Sequence, residues 1–179
     1  MKIKIGVMGP SAEPDSPRMA ELARSLGEAI AARDLILLTG ATTGAVHLTG
    51  QTARDAGALH LGISPAANET EHVERFNLPI DACDALIYTG FGLKGRNVVL
   101  VRSCDIVIIF AGSIGGLNEF TIAYDEGKVI GCLKGSGDAA DEIERLVELL
   151  KKKTRSRIVY DDDPERLIDR CVKICGAGQ

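Results

Sequence analysis

Arg96 and Glu119, 23 positions apart, are the two side chains of this sequence best placed to do chemistry together. A guanidinium offers a planar fork that suits phosphate or carboxylate. A carboxylate serves as a general base or holds a ribose hydroxyl. Between them runs Ile106-Val107-Ile108-Ile109-Phe110, a continuous apolar stretch bounded by Asp105 and by Ala111-Gly112-Ser113. That composition predicts a strand buried on both faces, as in the middle of a parallel sheet. Gly112, Gly115 and Gly116 then open an amphipathic stretch, 117–126. Backbone N–H groups at such a helix start face the strand's carboxyl end and attract an anion. Arg96 is expected at the start of the preceding helix, after a strand at 84–88 and the glycine loop 89–95. In a right-handed βαβ unit both helix starts lie at one sheet edge, so Arg96 and Glu119 face one cleft. The plain alternative for the same pair is an exposed ion pair, with Glu119 complementing the helix dipole.

Positioning these groups requires a frame, and the sequence supplies it as strands alternating with helices. Strands are expected at 2–8, 35–38, 57–63, 84–88, 106–110, 128–133 and 158–160. Helices are expected at 17–32, 45–56, from 96 onward, 117–126, 138–153 and 165–175. Ser16-Pro17 has the composition of a helix start, and Met19, Leu22, Ala23, Leu26, Ala29 and Ile30 make one apolar face. The pattern predicts a single α/β domain over 1–175, a Rossmann-like open parallel sheet of about seven strands with helices on both faces, and a flexible tail at 176–179. Two further small-residue turns follow strands: Gly9-Pro10-Ser11, and Gly40 to Gly44 with Thr42 and Thr43. Three such turns at one sheet edge imply a ligand lying across it. The Gly-x-Gly-x-x-Gly spacing is absent after the first strand, which argues against a dinucleotide dehydrogenase. The polar segment 66–78 reads as a surface connection, or as a flap bringing His72 or Arg75 to the site.

Composition narrows the partners. The formal net charge of −4 argues against a general nucleic-acid grip, which needs clustered cations. No run reaches the length of a membrane span and the first residues enter a strand directly, so a cytoplasmic protein is expected. Five cysteines without a CxxC pair and three scattered histidines predict structural thiols and no bound metal.

The run Arg96-Asn97, Ser103-Cys104-Asp105, an apolar strand, then Gly112-Ser113-Ile114-Gly115-Gly116-Leu117-Asn118-Glu119 resembles the signature of the LOG family. In that family an Arg-Lys pair precedes a Pro-Gly-Gly-x-Gly-Thr-x-x-Glu segment. The Gly9 loop is similar to the family's first Gly-Ser loop, and Gly40 to Gly44 to its glycine turn. Ala111, Ser113, Gly116, Asn118 and Asn97 stand where the family has Pro, Gly, Thr, often Glu, and Lys. The Arg-Asn form is closer to a sibling branch that includes a molybdenum-cofactor carrier. The resemblance implies a Rossmann-like domain that hydrolyses the N-glycosidic bond of nucleoside 5′-monophosphates, with Arg96 and Glu119 catalytic and no cofactor required. Its alternative is a non-hydrolytic carrier or sensor holding a nucleotide or a molybdopterin-type cofactor. Gly9, Pro10, Ser11, Gly40, Thr42, Thr43, Gly44, Arg96, Asn97, Gly112, Ser113, Ile114, Gly115, Gly116 and Glu119 are the ligand-binding positions it implies. The partner is a small phosphorylated molecule, with a homodimer or larger homo-oligomer expected.

Overall fold

The computed structural model describes residues 1–177. Seven parallel strands, β1 (Lys4–Met8), β2 (Ile36–Thr39), β3 (His60–Ser64), β4 (Ala85–Tyr88), β5 (Ile106–Phe110), β6 (Val129–Leu133) and β7 (Arg157–Asp161), form one sheet in the order β4-β3-β2-β1-β5-β6-β7. The chain winds outward from β1 to β4, crosses back to β5, and winds outward the other way. The central pair β1 and β5 is therefore the point where strand order reverses, and a crevice opens at their carboxyl ends. Every side chain of β5 is fully buried, as its unbroken apolar run requires. Lys4 and Asp105 lock this pair at the opposite edge: the Lys4 backbone N–H donates to the Asp105 carboxylate at 2.9 Å and the ammonium lies 2.7 Å from it.

The helices α1 (Pro17–Ala32), α2 (Gly44–Asp55), α3 (Gly92–Ser103), α4 (Ile114–Asp125), α5 (Asp138–Leu150) and α6 (Pro164–Gly176) divide between the two faces. Leu26 and Ile30 of α1, Ala53 of α2, and Leu167 and Ile168 of α6 pack on one face of β1, β2 and β5. Leu100 of α3, Phe120 and Ala123 of α4, and Ile143 of α5 pack on the other. Each fully buried Leu, Ile or Phe contributes about 1.5–3 kcal/mol of transfer free energy, so both layers hold the sheet edge rigidly. Two helices start at side-chain caps: Ser16 Oγ accepts from the Met19 N–H at 3.2 Å, and the Asp163 carboxylate accepts from the Arg166 N–H at 2.8 Å, each followed by proline.

Two helix starts differ from the sequence expectation in a way that matters for the site. α3 begins at Gly92 and α4 at Ile114, so Arg96 and Glu119 sit in second turns. Low helix propensity made Gly92, Gly95, Gly115 and Gly116 read as loop, but the buried residues that follow, Asn97, Leu100 and Val101 in α3 and Phe120 and Ala123 in α4, carry both helices back over their glycines. The 66–78 segment is a connection containing one π-helical turn, Glu71–Arg75. His72 is buried there between Ser64 Oγ, 2.8 Å from Nδ1, and the Pro79 carbonyl, 3.1 Å from Nε2. Arg75 pairs with Glu71 at the surface. Gly176 closes α6, and residues 178–179 of the expected tail lie outside the described residues.

Candidate functional site

The cleft at the carboxyl edge is assembled from the loops after β1 and β5 and the first turns of α3 and α4. Ala111 and Gly112 both take positive φ, 46° and 82°, which turns the chain sharply from β5 into α4. Ala139 and Ala140, at the start of α5, donate to the Gly112 and Ala111 carbonyls at 2.9 and 3.2 Å. Ser136 Oγ accepts from the Ala111 N–H at 2.8 Å and donates to the Leu133 carbonyl. The turn is thus held from the β6 side by its carbonyls. Its other edge is open: the Ser113 side chain makes no cap to α4, and the N–H groups of Ser113 to Gly116 have no hydrogen-bond partner among the described residues. Orphan donors and the positive end of the helix dipole together favour an anion.

Arg96 lies in the same cleft, 5% exposed. Its Nη1 is 3.3 Å from Glu119 Oε1, and its buried Nε has no partner among the described residues. The guanidinium rests against Gly40, where a Cβ would sit 2.3–2.5 Å from it; only glycine lets β2's end approach this closely. Burial outweighs attraction within the pair. The Glu119 carboxyl is pushed up to about 7 by desolvation, with Arg96 and then Lys94 pulling it back. Desolvation works against the Arg96 charge as well, opposed by Glu119. A carboxyl poised near neutrality beside a guanidinium can take or give a proton at physiological pH.

Beside this pair, Asn97 Nδ2 donates to Asn118 Oδ1 at 2.8 Å. Both positions depart from the LOG pattern, and they face each other, a neutral amide bridge between α3 and α4 where that pattern has Lys and often Glu.

The cleft encloses about 210 Å³ and is lined by Gly9, Pro10, Ser11, Gly40, Thr42, Arg96, Asn97, Ser113, Gly115, Gly116 and Glu119. These eleven expected positions come together. Four others stand off the lining. Ile114 points outward, 71% exposed, and Gly112 shapes the turn. Thr43 and Gly44 belong to a capping arrangement: the Ala12 and Pro10 carbonyls accept from the Ala45 and Val46 N–H groups, and the Thr43 hydroxyl donates to the Ser11 carbonyl. The start of α2 thereby spends its donors on the β1 loop. Gly44, at φ 75°, leaves no space for a side chain, because a Cβ would lie 2.1 Å from the Ala12 oxygen. Sequence reasoning missed Lys94, Leu93 and Val46, which also line the cleft. For Lys94 the available signal was a cation inside the glycine loop that delivers Arg96.

A larger groove of about 500 Å³ runs along α3, α4 and the end of α5, lined by Val98, Phe120, Ile122, Val147 and Leu150. Its charges are already paired, Arg102 with Glu126 and Lys152 with Asp125, so no chemistry converges there. Among the described residues no three His, Cys, Asp or Glu side chains gather as for a metal ion, and no helix is long and apolar enough to cross a membrane.

A model of the SLOG cluster4 family matches residues 2–168. An uncharacterised protein of Archaeoglobus fulgidus is 32% identical over 132 residues, covering 74% of this chain and 80% of the relative. Among solved structures, the molybdenum cofactor binding protein of the phototrophic bacterium Rippkaea orientalis superposes with a TM-score of 0.77 at 30% identity, covering 97% of this chain and 98% of its own. The molybdenum cofactor carrier protein of Chlamydomonas reinhardtii gives 0.73 at 26%, covering 98% and 99%.

Proposed function

The chain belongs to the SLOG cluster4 family, and from that premise we propose that it is a LOG-like binding or carrier protein for a small phosphorylated ligand, a nucleotide or a molybdopterin-type cofactor. The observation that carries this reading is Arg96, which lines the cleft where the uncapped α4 start presents its N–H groups and whose buried Nε has no partner among the described residues. A buried unpaired donor is costly unless a ligand satisfies it. The phosphate lies on Ser113 to Gly116, and Arg96 donates from the cleft floor. The likeness to two proteins named for the molybdenum cofactor supports the carrier form. The phosphate-bearing end of such a cofactor suits these donors, and the cargo's own chemistry stays with the cargo.

A second reading, hydrolysis of nucleoside 5′-monophosphates, is favoured by the Glu119 carboxyl near 7. Cleaving an N-glycosidic bond builds oxocarbenium character on the ribose, which an ionised Glu119 would stabilise while activating water. The test of both is one experiment. Purified protein is incubated with adenine, guanine, cytosine, uracil and cytokinin monophosphates and with a molybdopterin preparation, and free base and melting temperature are both read. Stabilisation without base release supports binding or carriage. Base release that disappears in Arg96→Ala and Glu119→Gln supports hydrolysis, and neither effect with any ligand refutes both. A homo-oligomer of cytoplasmic protein completes the proposal; Leu149 and Leu150, 70% and 59% exposed beside the α3–α5 groove, are the apolar surface that supports it, and light scattering reads its size.

A further inference from the structure

We infer that Lys94 is the specificity-determining residue of this cleft, the one that makes it prefer the dianion of a phosphate monoester over a singly charged anion. The inference rests on the proposed reading that the α4 start receives a phosphate group. Lys94 lines the cleft mouth on the first turn of α3. A Cβ on Gly115 would be 3.9 Å from its Nζ, so the ammonium stands next to the free N–H groups of the turn. It is close enough to Glu119 to draw that carboxyl's pKa down.

Lys94 has neither a hydrogen bond nor an ion pair among the described residues, whereas other cations of the chain are engaged: Arg102 with Glu126, Lys128 with the Cys104 carbonyl, Lys134 with Glu144 and Lys152 with Asp125. It is also exposed, so no packing duty accounts for its position.

Charge accounting gives this residue its weight. Once Glu119 is ionised, its charge cancels that of Arg96 3.3 Å away, and the pair is neutral overall. Arg96 then adds no net attraction. The α4 start contributes roughly half a positive charge, which suffices for a monoanion. A phosphate monoester carries about −1.5 to −2 at neutral pH. Its second charge is met only by Lys94, in a cleft whose other lining is neutral. Arg18, near the β6 loop at Gly135, lines a separate depression with Asp15 and Asp141.

The smallest probes isolate charge from the rest of the ligand: methyl phosphate, a dianion at pH 8, and dimethyl phosphate, a monoanion. Binding is followed through the backbone amides of Gly115 and Gly116 by nitrogen-15 NMR. The wild-type protein is expected to bind methyl phosphate about tenfold more tightly than dimethyl phosphate, as one added charge–charge contact at a partly exposed site allows. Lys94→Met should bring the two within about twofold by weakening methyl phosphate alone, and Lys94→Arg should restore the preference. The same preference in Lys94→Met as in the wild type overturns the inference while leaving the anion site in place. If neither probe moves the two amides in the wild type, the phosphate reading beneath it fails as well. A Lys94-dependent preference in a protein that binds no nucleotide or pterin supports the role of Lys94 and refutes only the ligand assignment.

Discussion

Replacing Glu119 with glutamine should stabilise the ligand-free protein, and by an amount that depends on pH in a defined direction. The Glu119 carboxyl is 7% exposed and its pKa is raised from 4.5 to about 7, chiefly by burial. Between those two values the folded protein holds a proton that the unfolded chain has released. Stability from this group is therefore complete below pH 4.5 and lost as pH rises through 7. The gap of 4.5 to about 7, at about 1.4 kcal/mol for each pH unit, amounts to about 3 kcal/mol. Glutamine mimics the protonated carboxyl and never ionises, so Glu119→Gln should match the wild type at pH 4 and exceed it by about 3 kcal/mol at pH 8. In a chain of this length that difference is about 6–12 °C in melting temperature. The assay is a set of thermal melts of both proteins from pH 4 to 8 without ligand. A constant difference across the range, or a wild type that gains on the variant as pH rises, would refute the placement of a buried, reluctantly ionised carboxyl beside Arg96. Such a gain on removing a group also marks it as held for function.

Other consequences are as direct. Gly40→Ala should displace the Arg96 guanidinium, since the new methyl would lie within 2.5 Å of it; ligand-induced stabilisation should fall at least about tenfold in affinity while the ligand-free protein loses only about 1–2 kcal/mol, and calorimetry with the best-bound ligand reads it. His60 is buried with Nδ1 donating to the Ala82 carbonyl at 2.6 Å and Nε2 accepting from Thr39 at 2.9 Å, and burial lowers its pKa from 6.5 to about 4. Its contribution is present above pH 6.5 and lost as pH falls toward 4, about 3 kcal/mol in all. Over pH 4.5–6.5 this opposes the Glu119 effect, so urea midpoints should vary less with pH in the wild type than in Glu119→Gln, where the acid-side loss stands alone. Gly44→Ala should destabilise the protein by more than about 1 kcal/mol, because the residue has a φ of 75° and faces the Ala12 oxygen at 2.1 Å from a would-be Cβ; an unchanged denaturation midpoint would contradict that geometry.

The alternation of apolar runs with amphipathic stretches determined the sheet, its seven strands and the division of helices between faces, because burial on one or two faces leaves a period in the sequence. The glycine turn before Glu119 and the Arg96 loop were legible for the same local reason: small residues between a buried strand and a helix mark a carboxyl-edge crevice. Other features are properties of distance alone. That β1 and β5 lie side by side, 101 positions apart at Lys4 and Asp105, brought the three similar turns to one cleft. Nothing in the Gly40 to Gly44 turn distinguishes it from the Gly112 to Gly116 turn as an anion site. The fold does, by spending the α2 donors on the Pro10 and Ala12 carbonyls while leaving those of α4 open. Low propensity hid the first turn of α3, and with it Lys94. The burial of Arg96 and Glu119, which raises one pKa toward neutrality and leaves one guanidinium nitrogen unpartnered, depends on water excluded by β2, α3 and α4 together. Residue types determined what chemistry this protein could hold, and packing decided where charge is costly enough to be used.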